Sequence, residues 1–70
     1  MRVSYPPLIE MTNIYTDAGF DIFPIKEGAG VRVMIFQDDL FKKEGQTVYD
    51  DWDACELATT KMLYELIIKK

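Results

Sequence analysis

The stretch DDWDACELATTKMLYELIIKK, Asp50 to Lys70, decides how the rest of the chain is read. Asp50 or Asp51 can accept from the free N–H groups of a first helical turn. Asp50, Asp51, Asp53 and Glu56 favour the positive end of a helix, and Lys69 and Lys70 suit its negative end. Between them Trp52, Cys55, Ala58, Thr59, Met62, Leu63, Leu66 and Ile67 recur at spacings of three and four, which is one helical face. Leu57, Tyr64 and Ile68 widen that face. The pattern predicts a long amphipathic helix from about Asp51 to Ile68, built to cover a small sheet. Fully burying its large members contributes roughly 1.5 to 3 kcal/mol each before entropy is counted.

Working back from this helix, Val31 to Phe36 (VRVMIF) carries the strongest strand signal: Val31, Val33 and Ile35 alternate with Arg32, Met34 and Phe36. Phe20 to Ile25 (FDIFPI) is aromatic and β-branched and predicts a second strand. There Phe20, Ile22 and Pro24 face one way and Asp21, Phe23 and Ile25 the other. Pro24 cannot donate to a ladder, so this strand is expected at an edge or with its Pro24 N side facing out. Lys26 to Gly30 (KEGAG) supplies a hairpin turn. Gln37, Asp38 and Asp39 make the next turn, and Leu40 and Phe41 begin a third strand weakened by Lys42 to Gly45. Gln46 to Tyr49 either continues it after a bend at Gly45 or forms a short strand of its own.

Nearer the start, Pro6 and Pro7 suit the opening of a helix, where a missing N–H costs nothing. Leu8, Met11, Ile14, Tyr15 and Ala18 form one face, and Gly19 is the expected left-handed stop. This predicts a first helix from about Pro7 to Ala18, with Ser4 or Tyr5 near its cap and Met1 to Tyr5 as a tail or short arm. Thr12, Asn13, Thr16 and Asp17 are mediocre helix formers, so it depends on tertiary contacts. The expected fold class is α+β: a single domain over residues 1–70 with the order α-β-β-β-α, an antiparallel meander sheet covered by the C-terminal helix.

At 70 residues only about 60% of the unfolded surface can be buried. Cys55 is the only cysteine, so no intrachain disulfide can staple the core. The absence of histidine disfavours a zinc site, and no cofactor is expected. The formal net charge of -4 argues against nucleic acid, whose phosphates recruit Lys and Arg, and against anionic membrane surfaces. No apolar run reaches the roughly 18 residues that span a bilayer. The N-terminal MRVSYPPLIEM lacks the apolar stretch of a signal peptide. A soluble, cytoplasmic protein is expected.

Several groups invite a chemical reading. Asp38, Asp39, Asp50, Asp51 and Asp53 could hold a hard cation, but they read better as a turn and a helix cap, and their spacing is not that of an EF-hand loop. Cys55 lies on the apolar stripe with no histidine anywhere to activate it, and reads as core. The KEGAG glycines lie between strands, whereas a phosphate loop opens a helix. Lys42, Lys43 and Arg32, with Phe41 and Tyr49 close in sequence, suggest a platform for single-stranded nucleic acid, but Asp38, Asp39 and Glu44 neutralise the neighbourhood. With no histidine, a general base would have to be a strongly shifted carboxylate or lysine, and no pair suggests one. The protein is not expected to be an enzyme.

The apolar surplus is more informative. A two-layer fold has one interior, yet Phe23, Ile25, Met34 and Phe36 fall on the sheet face opposite Ile22, Val33 and Ile35. Unless the first helix covers them, they form an exposed patch, and such patches mark interfaces. Tyr64 and Ile68, on the broad arc of the last helix, join them as candidate interface residues. The expected partner is a second copy of the chain or another protein. The alternative is a small ligand held between subunits by Tyr5, Tyr15, Phe36, Tyr49 and Trp52.

In layout the chain resembles small uncharacterised proteins of bacteriophages and of bacterial mobile elements, Bacteroides-type genomes included. The likeness rests on YDDWDACELATTKMLYELI, Tyr49 to Ile67, where an aromatic and acidic entry leads into a helix with small positions and a hydrophobic end. Trp52, Ala54, Ala58, Leu63, Leu66 and Ile67 are the matching residues. That resemblance implies a fold type and an origin, with no established activity to carry over. If phage-encoded, the chain is expected to be an accessory factor that inhibits or sequesters a host component, since acidic small proteins can occupy basic surfaces. The α-β-β-β-α order also looks like the double-stranded RNA-binding domain, whose last helix begins with phosphate-gripping lysines. Here those positions are Asp50, Asp51 and Asp53, which reverses the charge and leaves the function behind.

Overall fold

The computed structural model describes residues 4–69. Helix α1 (Leu8–Asp17) leads into strands β1 (Phe20–Glu27), β2 (Gly30–Gln37) and β3 (Leu40–Glu44), and helix α2 (Trp52–Ile68) closes the chain. The strands form one antiparallel sheet in the order β1-β2-β3. This is the α+β, α-β-β-β-α layout that the periodicities predict. The tail expected at Met1 to Val3, and the charge of Lys70, lie outside the described residues.

The turns are short and chemically apt. Gly28 has φ +59° at the first turn position between Glu27 and Gly30, as in a II′ hairpin. Asp38 and Asp39 have φ +53° and +68° between Gln37 and Leu40. Two successive positive φ values define an I′ turn, which aspartate tolerates better than most residues. The Asp38 N–H donates to Gly19 O at 2.8 Å, tying this turn to the junction of α1 and β1. Gly19 itself has φ +91°, a conformation that favours glycine, and a Cβ there would also push the Asp38 carboxylate aside.

Three boundaries differ from the sequence expectation. α1 starts at Leu8 and ends at Asp17; Pro7 is the cap residue, without a side-chain capping bond, and Tyr5 lies two residues before it. β1 runs on through Lys26 and Glu27, because the turn needs only two residues. Gln46 to Tyr49 makes no strand. Gly45 N–H donates to Val33 O at 2.8 Å, the chain then loops away, and Tyr49 returns to exchange two 2.9 Å bonds with Val31. Four residues of this segment thus span what two residues span on β2. β3 is irregular as well: Lys42 is an extra residue opposite the Ile35–Phe36 step.

Both helices lie on one face of the sheet. Tyr15 of α1 and Cys55 and Leu63 of α2 share a buried cluster with Val31, Val33 and Ile35, flanked by Phe20, Ile22, Tyr49, Trp52 and Ile67. α1 packs against α2 and β1, while α2 lies over β2. Asp51 caps α2, its Oδ1 accepting from Ala54 N at 2.9 Å. The buried stripe of α2 is narrower than its apolar arc: Cys55, Thr59, Thr60 and Leu63 are buried, while Leu57, Met62, Leu66 and Ile68 are exposed. Thr60, which the apolar pattern passes over, is fully buried, and its hydroxyl makes no well-formed hydrogen bond although it neighbours the Tyr15 hydroxyl.

Candidate functional site

Strand pairing puts directly opposed residues on the same face. Phe23 pairs with Met34, Ile25 with Arg32, and Phe36 with Phe41. These side chains occupy the sheet face that neither helix covers. Phe36 sits in the middle of an aromatic row, with its ring centroid 5.6 Å from Phe23 and 5.8 Å from Phe41, both edge-to-face at 87° and 78°. This is the favoured geometry for aromatic pairs. Phe23 is 47% exposed and Phe41 52%. Ile25 and Met34 extend the surface along the strands.

The same face carries one cation. Arg32 Nε lies 2.9 Å from Glu27 Oε1 and its Nη1 lies 2.9 Å from Glu44 Oε1, with a further 3.1 Å bond to Gly45 O. The central strand's arginine therefore reaches to the carboxylates of both edge strands. Hydrogen bonds to Glu44 and Glu27 raise its pKa and hold it charged. Asp21, opposite Phe36, shares this face, so the apolar side chains lie beside three carboxylates and, among the described residues, one cation, which Glu27 and Glu44 neutralise.

Of the six candidate interface residues, Phe23, Ile25, Met34 and Phe36 come together on this open face. Tyr64 and Ile68 lie on α2, in the helical layer on the other side of the sheet. Tyr64 packs against Tyr5 with ring centroids 6.2 Å apart, and Ile68 is exposed. Phe41 completes the aromatic row and was hidden from periodicity by its short, charged strand. Its signal lies in the pairing with Phe36, which depends on the extra residue at Lys42.

The other groups are dispersed. Asp38 and Asp39 turn at one end of β2, and Asp50, Asp51 and Asp53 follow the Tyr49–Val31 bridge at the other. The six-residue separation from Val31 to Gln37 spans roughly 20 Å, so the two acidic groups cannot share a cation. Among the described residues no cluster of metal-ligating side chains forms. Cys55 is fully buried, and burial pushes its thiol pKa up, which makes it a poor nucleophile. Tyr5, Tyr15, Phe36, Tyr49 and Trp52 do not line a common pocket: Phe36 is on the open face, Tyr15 is in the core with Tyr49 and Trp52 at its margin, and Tyr5 is against α2.

Tyr5 anchors the N-terminal arm. Its hydroxyl donates to Glu65, which lowers the Glu65 pKa, and Lys61 Nζ lies 4.9 Å from its ring centroid. Beside this contact α2 leaves a groove of about 820 Å³ along its β3 side, with Phe20, Ile35 and Leu63 in its lining. Arg32 is separated from Lys42 and Lys43, which line this groove instead, so the basic cluster seen in the sequence is split between surfaces. Among the described residues no helix is long and apolar enough to cross a membrane. No family profile, curated protein or solved structure matches the chain.

Proposed function

We propose that the protein is a small non-enzymatic interaction protein that pairs with a second copy of itself through the open sheet face. The observation that carries this reading is the aromatic row Phe23–Phe36–Phe41 on a face with no covering layer. An antiparallel sheet can leave one face in water, but that face is then ordinarily polar. Here Phe23, Ile25, Met34, Phe36 and Phe41 share it with Asp21 and with an Arg32 that Glu27 and Glu44 satisfy from within.

Size sets the expected strength. Three strands about 4.8 Å apart and seven residues long present a face of roughly 300 Å² in plan. Two such faces bury less than the roughly 1,200 Å² of a standard stable interface, so the pairing is weak and concentration-dependent. Light scattering from micromolar to millimolar protein tests it. A rise in mass toward the dimer is expected for the native chain, and none for the double variant Phe23→Asp/Phe41→Asp. Because both side chains are half-exposed, the variant keeps its fold, which circular dichroism checks. A native chain that stays monomeric at millimolar concentration, or a double variant that still dimerises, refutes this reading.

A further inference from the structure

The helical layer covers the sheet unevenly. α1 lies by β1 and α2 over β2, but every residue of β3 is exposed. The flank of α2 that faces this gap presents Ala58, Met62 and Leu66, one per turn, with Met62 41% and Leu66 53% exposed. That spacing is the one by which a helix receives a neighbour. From Ala58 to Leu66 the stripe runs about 12 Å, a little over two turns.

Charge identifies the missing neighbour. The chain has 8 basic and 12 acidic residues. Lys42, Lys43, Lys61 and Lys69 all line this one groove, whereas Glu65 is its single acidic residue. Glu65 is engaged by the Tyr5 hydroxyl and by Lys69 Nζ at 3.6 Å, so that pair offsets itself and the groove keeps a surplus of three lysines. An acidic protein has therefore gathered half its cations around an apolar channel. Lys42 and Lys43 stand on the β3 wall, and Lys61 and Lys69 stand two turns apart on the α2 wall.

We infer that this groove docks an acidic amphipathic helix of a partner protein, its apolar stripe laid on Met62 and Leu66 and its flanking carboxylates meeting the lysines of both walls. A single-headed amphiphile such as a fatty acid would neutralise one lysine and leave the others facing apolar chain. In a second copy α1 is acidic and exposes Leu8 and Ile9, but its Met11 and Tyr15 are already buried in that copy's own fold, so it cannot lay a full apolar stripe in the groove. The groove is separate from the open sheet face, so this inference stands or falls independently of the dimer.

The test titrates isotope-labelled protein with a designed helical peptide that carries a leucine stripe flanked by glutamates, read by NMR at Met62, Leu66 and Lys43. The expected result is saturable shifts at these residues, weakened by salt and about tenfold weaker in Lys42→Glu/Lys43→Glu, where two attractive contacts become repulsive. Phe23→Asp/Phe41→Asp should bind the peptide as the native chain does. The inference is overturned if the acidic peptide gives no shifts at the groove, or if a lysine-flanked counterpart binds equally well. It is also overturned if the groove responds to sodium laurate but not to peptide, or if diluting the protein alone produces the same shifts.

Discussion

The two faces of the sheet are built from similar residues and meet different fates. On β2, Val31, Val33 and Ile35 are buried beneath the helices, while Met34 and Phe36, one step out of phase, face away from them. Hydrophobicity alone would assign both sets to a core. The difference is made by the helices, which share one side: the Tyr15 side of α1 joins the same cluster as Leu63 of α2. One face supplies the core, and the other keeps Phe23 and Phe41 half-exposed.

The sharpest way to break this comparison is to truncate neighbours on opposite faces. Ile35→Ala removes a fully buried side chain and should cost about 3 to 4 kcal/mol, within the range of such core truncations. In a domain this small that is comparable to the whole net stability, and thermal denaturation should show the midpoint lowered to near room temperature. Phe36→Ala, the adjacent residue, should cost less, about 1 to 2 kcal/mol, because it loses two edge-to-face contacts but leaves no closed cavity. Equal losses at the two positions would mean that the open face is part of the folding core.

The covered face can be sharpened at Thr60. Its hydroxyl is buried without a well-formed bond, so Thr60→Val exchanges an unsatisfied polar group for a methyl of the same shape. Chemical denaturation should show a gain of up to about 1 kcal/mol. A loss would show that the contact with Tyr15 is worth more than its geometry suggests.

A smaller effect concerns the strap across the helical layer. Glu65 has its pKa lowered chiefly by the Tyr5 hydrogen bond, with Lys69 adding to it. A depressed carboxylate contributes stability above its unfolded pKa and loses it as pH falls through the folded value. The Tyr5–Glu65 contact should therefore weaken only below the ordinary carboxylate range. Tyr5→Phe should lower stability slightly at neutral pH, where the contact is intact, and converge with the native chain in acid, where the contact is already lost, so that acid denaturation shows a flatter profile.

Much of this was legible in the residues. VRVMIF could only be a strand with two apolar faces, the acidic start of α2 does cap it, and Phe23, Ile25, Met34 and Phe36 do share a surface. What periodicity cannot supply is the partner of a face. Leu8, Met11, Ile14 and Tyr15 define a side of α1 but not which side of the sheet it takes. Likewise α2 is apolar at Leu57, Ala58, Met62, Leu63, Leu66, Ile67 and Ile68, and only its placement over β2 separates the buried Leu63 from the exposed Met62 and Leu66. Lys42 and Lys43 sit beside Arg32 in a charge reading, but the register of β3 sends them to another surface.

The extra residue at Lys42, the departure of the chain at Gly45 and the proline within β1 have a joint consequence for assembly. A free strand edge templates another strand, and repeated addition grows without limit. On one border Pro24 has no N–H to offer. On the other, the run of regular backbone is short, kinked and doubly cationic. Lateral growth into ribbons is thereby disfavoured on both sides, and the pairing proposed above, which uses the open face and not an edge, would consume its own patch and end at two copies.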